Sequence, residues 1–205
     1  MAFQSIWYQT EISDELVNII LNDISSYETD MDVSELSGNI VHEKKRKSHN
    51  AWIPTSHWVG GMLWHYIQRA NRENFFYDID CIEGETLQYT QYSTDEYYGW
   101  HQDSGLSDWF MREKPVAGGT SHFNDDVLQS SEKLRKLSVI LQLSDENNYT
   151  GGQLQLLDER GQSYFAPKTK GTIIIFDSRT RHRVRPIKSG ERRSLVAWVV
   201  GPRWK

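Results

Sequence analysis

Two hydrophobic periods divide the chain. Up to about residue 74, apolar positions recur at helical spacing. Ile12, Leu16, Ile19, Ile20 and Ile24 form one stripe behind Ser13-Asp14, which has helix-capping chemistry, and predict a helix to about Ser25. Trp58, Leu63, Tyr66, Ile67 and Ala70 form a second stripe after Pro54 and predict a helix over about Ser56–Asn71. After Phe75 the period shortens to two. Strands are expected at about Phe75–Ile82, Glu85–Tyr92, Leu137–Leu143, Gly152–Leu157, Gly171–Phe176, Arg181–Pro186 and Arg193–Val200, separated by Gly, Asn and Asp turns. Two helices followed by many short strands predict a mainly β fold with flanking α, a sandwich or jelly roll with its N-terminal helices packed outside.

Two segments break this pattern. Residues 31–49 are polar and end near the basic run Lys44-Lys45-Arg46-Lys47, which reads either as a solvated loop or as an anion-binding stretch. Residues 104–133 show no clear period and contain Gly118-Gly119, so they are either a lid over a site or a surface insertion.

The 205 residues suit one domain over 1–205, with helical support to about residue 74 and a β core over about 75–205. The hydrophobic share of 38% and charged share of 25% mark a globular chain rather than a disordered one. Cys81 is the single cysteine, which excludes an internal disulfide and a cysteine-based zinc site. No apolar run is long enough for a membrane span, and MAFQSIWYQT lacks a basic-then-apolar leader, so no membrane association and a cytoplasmic location are expected. The net charge of −5 makes a nucleic-acid partner unlikely in bulk while leaving room for a local basic patch. Oligomeric state is not legible at this level.

Candidate chemistry begins with His101-Gln-Asp103. In extended backbone residues i and i+2 share a face, so both side chains can reach one metal ion. Downstream, alternation over residues 180–186 puts Thr180, His182, Val184 and Pro186 on one face and Arg181, Arg183 and Arg185 on the other. Two imidazoles and one carboxylate leave three positions of a metal open, the ligand set of non-haem Fe(II) oxygenases; a zinc hydrolase with the same donors is the competing reading. Arg192, Ser194, Val196 and Trp198 share a face of the last strand. An inward Arg192 requires an anionic partner, either an internal carboxylate or a dicarboxylate co-substrate held by the guanidinium fork.

From about Trp52 to Trp198 the chain resembles the Fe(II)/2-oxoglutarate-dependent dioxygenases, in their prolyl 4-hydroxylase-like branch. The resemblance rests on Tyr92…Tyr98-Gly-Trp-His101-Gln-Asp103, Leu137-Ser-Val-Ile-Leu-Gln-Leu143, Tyr149-Thr-Gly-Gly152, Gly171-Thr…Phe176, His182-Arg-Val-Arg-Pro186 and Gly190-Glu-Arg192-Arg-Ser194…Trp198. It implies a double-stranded β-helix (jelly-roll) core. His101, Asp103 and His182 match the Fe(II) ligands. Arg192 matches the residue holding the distal carboxylate of 2-oxoglutarate, with Ser194 completing an R-x-S pattern and Tyr92 lining that pocket. Gln142 stands where a tyrosine is common in this branch. Tyr98 and Trp198 match aromatics around a target proline. Tyr98 lies three residues before His101, so sharing its face requires a bulge, which Gly99 permits. The implied activity consumes O2 and 2-oxoglutarate, releases succinate and CO2, and hydroxylates a prolyl residue in a peptide or protein. A free amino acid, a small metabolite or a nucleobase as substrate, and a non-catalytic jelly-roll binding protein, are the alternatives.

Overall fold

A computed structural model describes residues 6–33, 46–104 and 133–204. Nearly all of the expected lid segment, and Lys44-Lys45 of the basic run, lie outside the described residues. In chain order the strands are β1 (Tyr8–Glu11), β2 (Asp32–Val33), β3 (Arg46–Lys47), β4 (His49–Pro54), β5 (Cys81–Ile82), β6 (Thr86–Tyr92), β7 (Tyr97–His101), β8 (Lys133–Gln142), β9 (Tyr149–Gly151), β10 (Leu154–Leu157), β11 (Ser163–Phe165), β12 (Thr172–Asp177), β13 (His182–Val184), β14 (Ile187–Gly190) and β15 (Arg192–Pro202). The helices are α1 (Asp14–Ile24) and α2 (Trp58–Ala70).

The strands form two facing antiparallel sheets, the jelly roll expected from the sequence. The major sheet runs β1-β12-β8-β15-β6-β4-β2, with β5 also pairing β15. The minor sheet runs β11-β10-β13-β7-β3, and β14 pairs β9. Both helices cover the outside of the major sheet, where Val17, Ile20, Ile24, Leu63 and Ile67 pack against Leu87, Leu137, Val139, Leu141, Leu195 and Ala197. A smaller core of Ile140, Leu154, Leu156, Ile174 and Phe176 glues the two sheets together. Alternation on β8 and β15 feeds both cores at once: Leu137, Val139 and Leu141 of β8 face the helices, while Ser138, Ile140 and Gln142 face the interior.

Local chemistry explains the helix ends. Ser13 caps α1 by accepting from the Leu16 N–H at 3.3 Å, and His57 caps α2, which begins at Trp58, close to the expected start at about Ser56. Two expected core residues face outward instead: Ile19 is 53% exposed and Trp58 is 41% exposed, its indole N–H donating to Asp23. Val17 and Val59 take the inward positions, because the stripe facing a flat sheet is narrower than the apolar arc of the sequence.

Other boundaries shift. The N-terminal segment expected as helical support also supplies β1 and β4 to the major sheet. The expected strand over Phe75–Ile82 shrinks to Cys81–Ile82, because Phe76 leaves α2's terminal turn in the left-handed region (φ 57). The Asn71 side chain then clamps both the N–H and the carbonyl of Tyr77. Among the described residues no helix is long and apolar enough to cross a membrane.

Leu141 is fully buried on the central strand β8. Leu141→Ala is expected to cost about 2–5 kcal/mol in equilibrium denaturation. Ile19→Ala, on the exposed side of α1, should change stability by about 0.5 kcal/mol or less. Equal effects of the two would contradict this packing.

Candidate active site

Strands β7 and β13 pair antiparallel with His101 directly opposite His182, and the two rings lie 4.1 Å apart. Each ring's Nδ1 meets a backbone carbonyl two residues upstream, Gly99 at 2.8 Å and Thr180 at 2.9 Å. A carbonyl only accepts, so Nδ1 carries the hydrogen and each Nε2 lone pair is left to face inward. Asp103 follows the end of β7, where its N–H and that of Ser104 donate to the Ser178 carbonyl. Its Oδ1 is 3.5 Å from His101 Nε2 and its Oδ2 is 3.5 Å from His182 Nε2. The three donors all lie within 4.8 Å of one another. Ser138 on β8 donates to Asp103 Oδ2 at 2.7 Å and lies 2.9 Å from the Ser178 hydroxyl, so the carboxylate is oriented from behind.

Burial alone would raise the Asp103 carboxyl, but His182, His101 and Arg135 outweigh it and hold it well below the usual carboxylate range. Burial pushes His182 down to about 4 against the pull of Asp103. At neutral pH the cluster is therefore one carboxylate and a neutral His182 imidazole, the protonation state in which a metal is bound. Two nitrogens and one oxygen converging on one point fit Fe(II).

Tyr98 does share the face of His101. Tyr98 pairs with Val184 while His101 pairs with His182, so β7 carries one extra residue around Gly99-Trp100, the bulge that the spacing required. The Tyr98 ring stacks on His101 at 3.5 Å and 17°, and burial pushes its phenol up to about 12. The Arg46 guanidinium lies 4.8 Å from the Tyr98 ring. Arg46 is only 7% exposed and donates to Ser48 and Asn50, so this member of the basic run is not part of a solvated loop.

Trp198 stands opposite Ser138. A second bulge places both Arg135 and Lys136 against Val200, and Arg135 reaches the interior. Its guanidinium lies 4.3 Å over the Trp198 ring, pairs with Glu83 and approaches the Asp103 carbonyl at 3.5 Å. Trp52 on β4 lies 6.5 Å from Trp198. The Trp198 indole N–H is buried without a partner.

Deeper in the roll Arg192 is 1% exposed. It donates to Gln142 Oε1 at 3.0 Å and to Ser194 Oγ at 3.4 Å, and its carbon Cζ lies 5.7 Å from the Tyr92 ring. Among the described residues no carboxylate pairs with it, so an internal salt bridge does not account for it. Its Nε and the Tyr149 hydroxyl are both buried without partners. Burial raises the Tyr149 phenol while the Arg192 charge pulls it back. Gly152, at φ +63, lets the chain pass over this spot: a Cβ there would lie 2.3 Å from Ile187 and 3.3 Å from Arg192 Cδ. A buried cation with orphaned donors fits a dicarboxylate such as 2-oxoglutarate.

The structure thus groups His101, Asp103 and His182 at one centre, Tyr98 and Trp198 beside it, and Arg192, Ser194, Gln142 and Tyr92 in the neighbouring pocket. Arg135, Ser138 and Tyr149 are not among the sequence-predicted site residues, and Arg46 figures there only as a member of the basic run. Period-two spacing from Gln142 through Ile140 would have found Ser138; the bulge hides Arg135.

Comparison with known proteins agrees with this geometry. The profile of the 2OG-Fe(II) oxygenase superfamily matches residues 87–200. A PKHD-type hydroxylase of Colwellia psychrerythraea is 28% identical over 120 residues, covering 58% of this chain and 51% of the relative. One from Parvibaculum lavamentivorans is 33% identical over 76 residues, covering 37% and 34%. The chain spans about half or less of the length of these curated relatives. A Pseudomonas putida prolyl-4-hydroxylase shares the fold with a TM-score of 0.66 at 19% identity, covering 97% of this chain and 93% of that one. A Trichoplax adhaerens prolyl hydroxylase, solved with a hypoxia inducible factor peptide fragment, gives 0.69 at 16% identity, covering 95% and 83%. Members of the matched superfamily use Fe(II), 2-oxoglutarate and O2. With its jelly roll, its converging His-Asp-His donors and a profile match over more than half its length, the chain belongs to the 2OG-Fe(II) oxygenase superfamily.

Proposed function

We propose that the protein is a dioxygenase that hydroxylates a prolyl residue in a peptide or protein. The observation that carries this reading is the pair of aromatic walls beside the candidate metal centre, Tyr98 stacked on His101 and Trp198 alongside Ser138. A proline ring is apolar and rigid, and flat aromatic surfaces suit it. The unpartnered Trp198 indole N–H is available to donate to a substrate carbonyl. The prolyl hydroxylases that share the fold and the PKHD-type hydroxylases support the same substrate kind.

In this reading His101, Asp103 and His182 hold Fe(II). Arg192 receives the distal carboxylate of 2-oxoglutarate, with the Tyr149 hydroxyl as a second donor. Gln142 and Ser194 fix the guanidinium so that no reorganisation is needed on binding. Bound Fe(II) and 2-oxoglutarate supply the oxidising chemistry, with release of succinate and CO2. Ser138 keeps Asp103 turned towards the centre, and Arg135, stacked on Trp198 and paired with Glu83, holds the Trp198 ring in place. Tyr98, with its phenol protonated, offers a ring and a hydrogen-bond donor rather than a base.

The direct test supplies Fe(II), 2-oxoglutarate and O2 with a proline-rich peptide library and reads succinate and a +16 mass shift. A shift on proline that His182→Ala abolishes is expected; succinate without any shift would discard prolyl peptides of that library as substrates. Arg192→Ala should raise the 2-oxoglutarate KM by about two orders of magnitude, consistent with loss of a charged hydrogen-bonded contact, with metal affinity little changed. An unchanged KM would remove Arg192 from that role.

Protonation gives a further expectation. The folded value of His182, about 4, lies below its ordinary 6.5. Between them the unfolded chain binds the extra proton, so stability falls as pH drops from about 6.5 to about 4. The metal-free protein should lose on the order of 2 kcal/mol across that window. His182→Leu should flatten the slope; a wild-type denaturation midpoint independent of pH there would contradict the assignment.

A further inference from the structure

We propose that the outer face of the minor sheet binds single-stranded nucleic acid. His182 and Val184 of β13 point inward, and the residues alternating with them, Arg181, Arg183 and Arg185, point out. Arg183 lies 4.6 Å and Arg181 5.9 Å from the Trp100 ring. Arg185 lies 5.8 Å from the ring of Phe165. The rows are in register across three strands, since Gln155 of β10 pairs with both Phe165 and Arg183. Gln155 also accepts from Arg183 Nε at 2.8 Å, which fixes that guanidinium. Lys47, exposed at the end of the basic run, sits on the edge strand β3 of the same sheet.

Charge complementarity defines the partner. The chain carries 28 acidic residues and a net charge of −5. Yet none of these three arginines forms an ion pair among the described residues. The face therefore keeps a local positive field on an acidic protein. Arg181 and Arg183 reach towards Trp100 of β7 and Arg185 towards Phe165 of β11, so the cations are spread across the face, which suits an extended polyanion. A guanidinium lying over a ring keeps in-plane N–H groups for a phosphate, which it grips with parallel charge-assisted bonds.

The rings decide between polyanions. Phe165 is 50% exposed, and Trp100 lies on the same face within reach of two guanidiniums. Bases stack whatever their sequence on an exposed ring such as Phe165 and on a guanidinium plane such as that of Arg183 over Trp100, whereas the carboxylates of an acidic peptide gain nothing from an exposed apolar ring. The face is on the far side of β13 from His182, so occupancy does not obstruct the candidate active site, and the inference does not depend on the prolyl reading.

The test titrates the full chain with labelled oligo(dT) and oligo(rU) of about 20 nucleotides, and with polyglutamate, between about 50 and 200 mM salt. Binding of either oligonucleotide is expected, with a log–log salt slope near −2 for about three neutralised phosphates. Arg181→Gln/Arg185→Gln should weaken it at least tenfold and flatten the slope by about 1.4. Phe165→Ser should weaken it about tenfold while keeping the slope. Thermal midpoints and 2-oxoglutarate turnover should match wild type in these variants. The proposal is overturned if neither oligonucleotide binds, if the double Gln variant binds as wild type does, or if polyglutamate binds equally tightly, which would make the face an acidic-peptide site.

Discussion

The antiparallel pairing of β7 with β13 is the contact on which the rest of the site depends. It sets His101 opposite His182 and turns Asp103 between them. A carboxylate buried among aromatic and aliphatic side chains is costly unless its oxygens are compensated. Here the compensation comes from two imidazoles, the Ser138 hydroxyl and the nearby Arg135. The imidazoles are themselves fixed by backbone carbonyls, so the donor atoms are positioned by the strands rather than by side-chain freedom. The bulge in β7 belongs to the same arrangement, because without it Tyr98 would point away from the centre it now covers.

A second constraint is the fully buried Arg192. Among the described residues the jelly-roll interior holds two small hydrophobic clusters, one around Ile140 and Phe176 and one of Tyr92, Tyr149, Val184 and Ile187, and the larger core lies between the major sheet and the helices. Placing α1 and α2 outside the sheet moves most of the hydrophobic stabilisation away from the interior. That leaves the interior free to hold Arg192, Gln142, Ser194 and the triad. The polar groups are tolerated there because most are bonded to one another, and the exceptions, which include Arg192 Nε, the Tyr149 hydroxyl and the Trp198 indole N–H, belong to the residues of the candidate co-substrate and substrate sites.

Strand β13 shows how a period of two divides labour. One side carries His182 into the centre; the other turns Arg183, with Arg181 and Arg185 at the strand's two ends, to the surface by Trp100 and Phe165. Both assignments were legible in the run Arg-Thr-Arg-His-Arg-Val-Arg. The aromatic partners of the arginines were not, since they come from β7 and β11 through sheet pairing.

Local periodicity and motif spacing carry the fold class, the two helices and seven of the fifteen described strands, and they single out His101, Asp103 and His182, which the fold brings together, and Arg192, which it buries. The sequence by itself misjudged Ile19 and Trp58, whose burial depends on the shape of the sheet opposite, and Arg46, whose neighbour Tyr98 is some fifty residues away along the chain. Tertiary structure alone decided which residues support the site. Arg135 meets the centre through a bulge and Tyr149 meets Arg192 through cross-strand register, and register is a property of two strands together, not of either one.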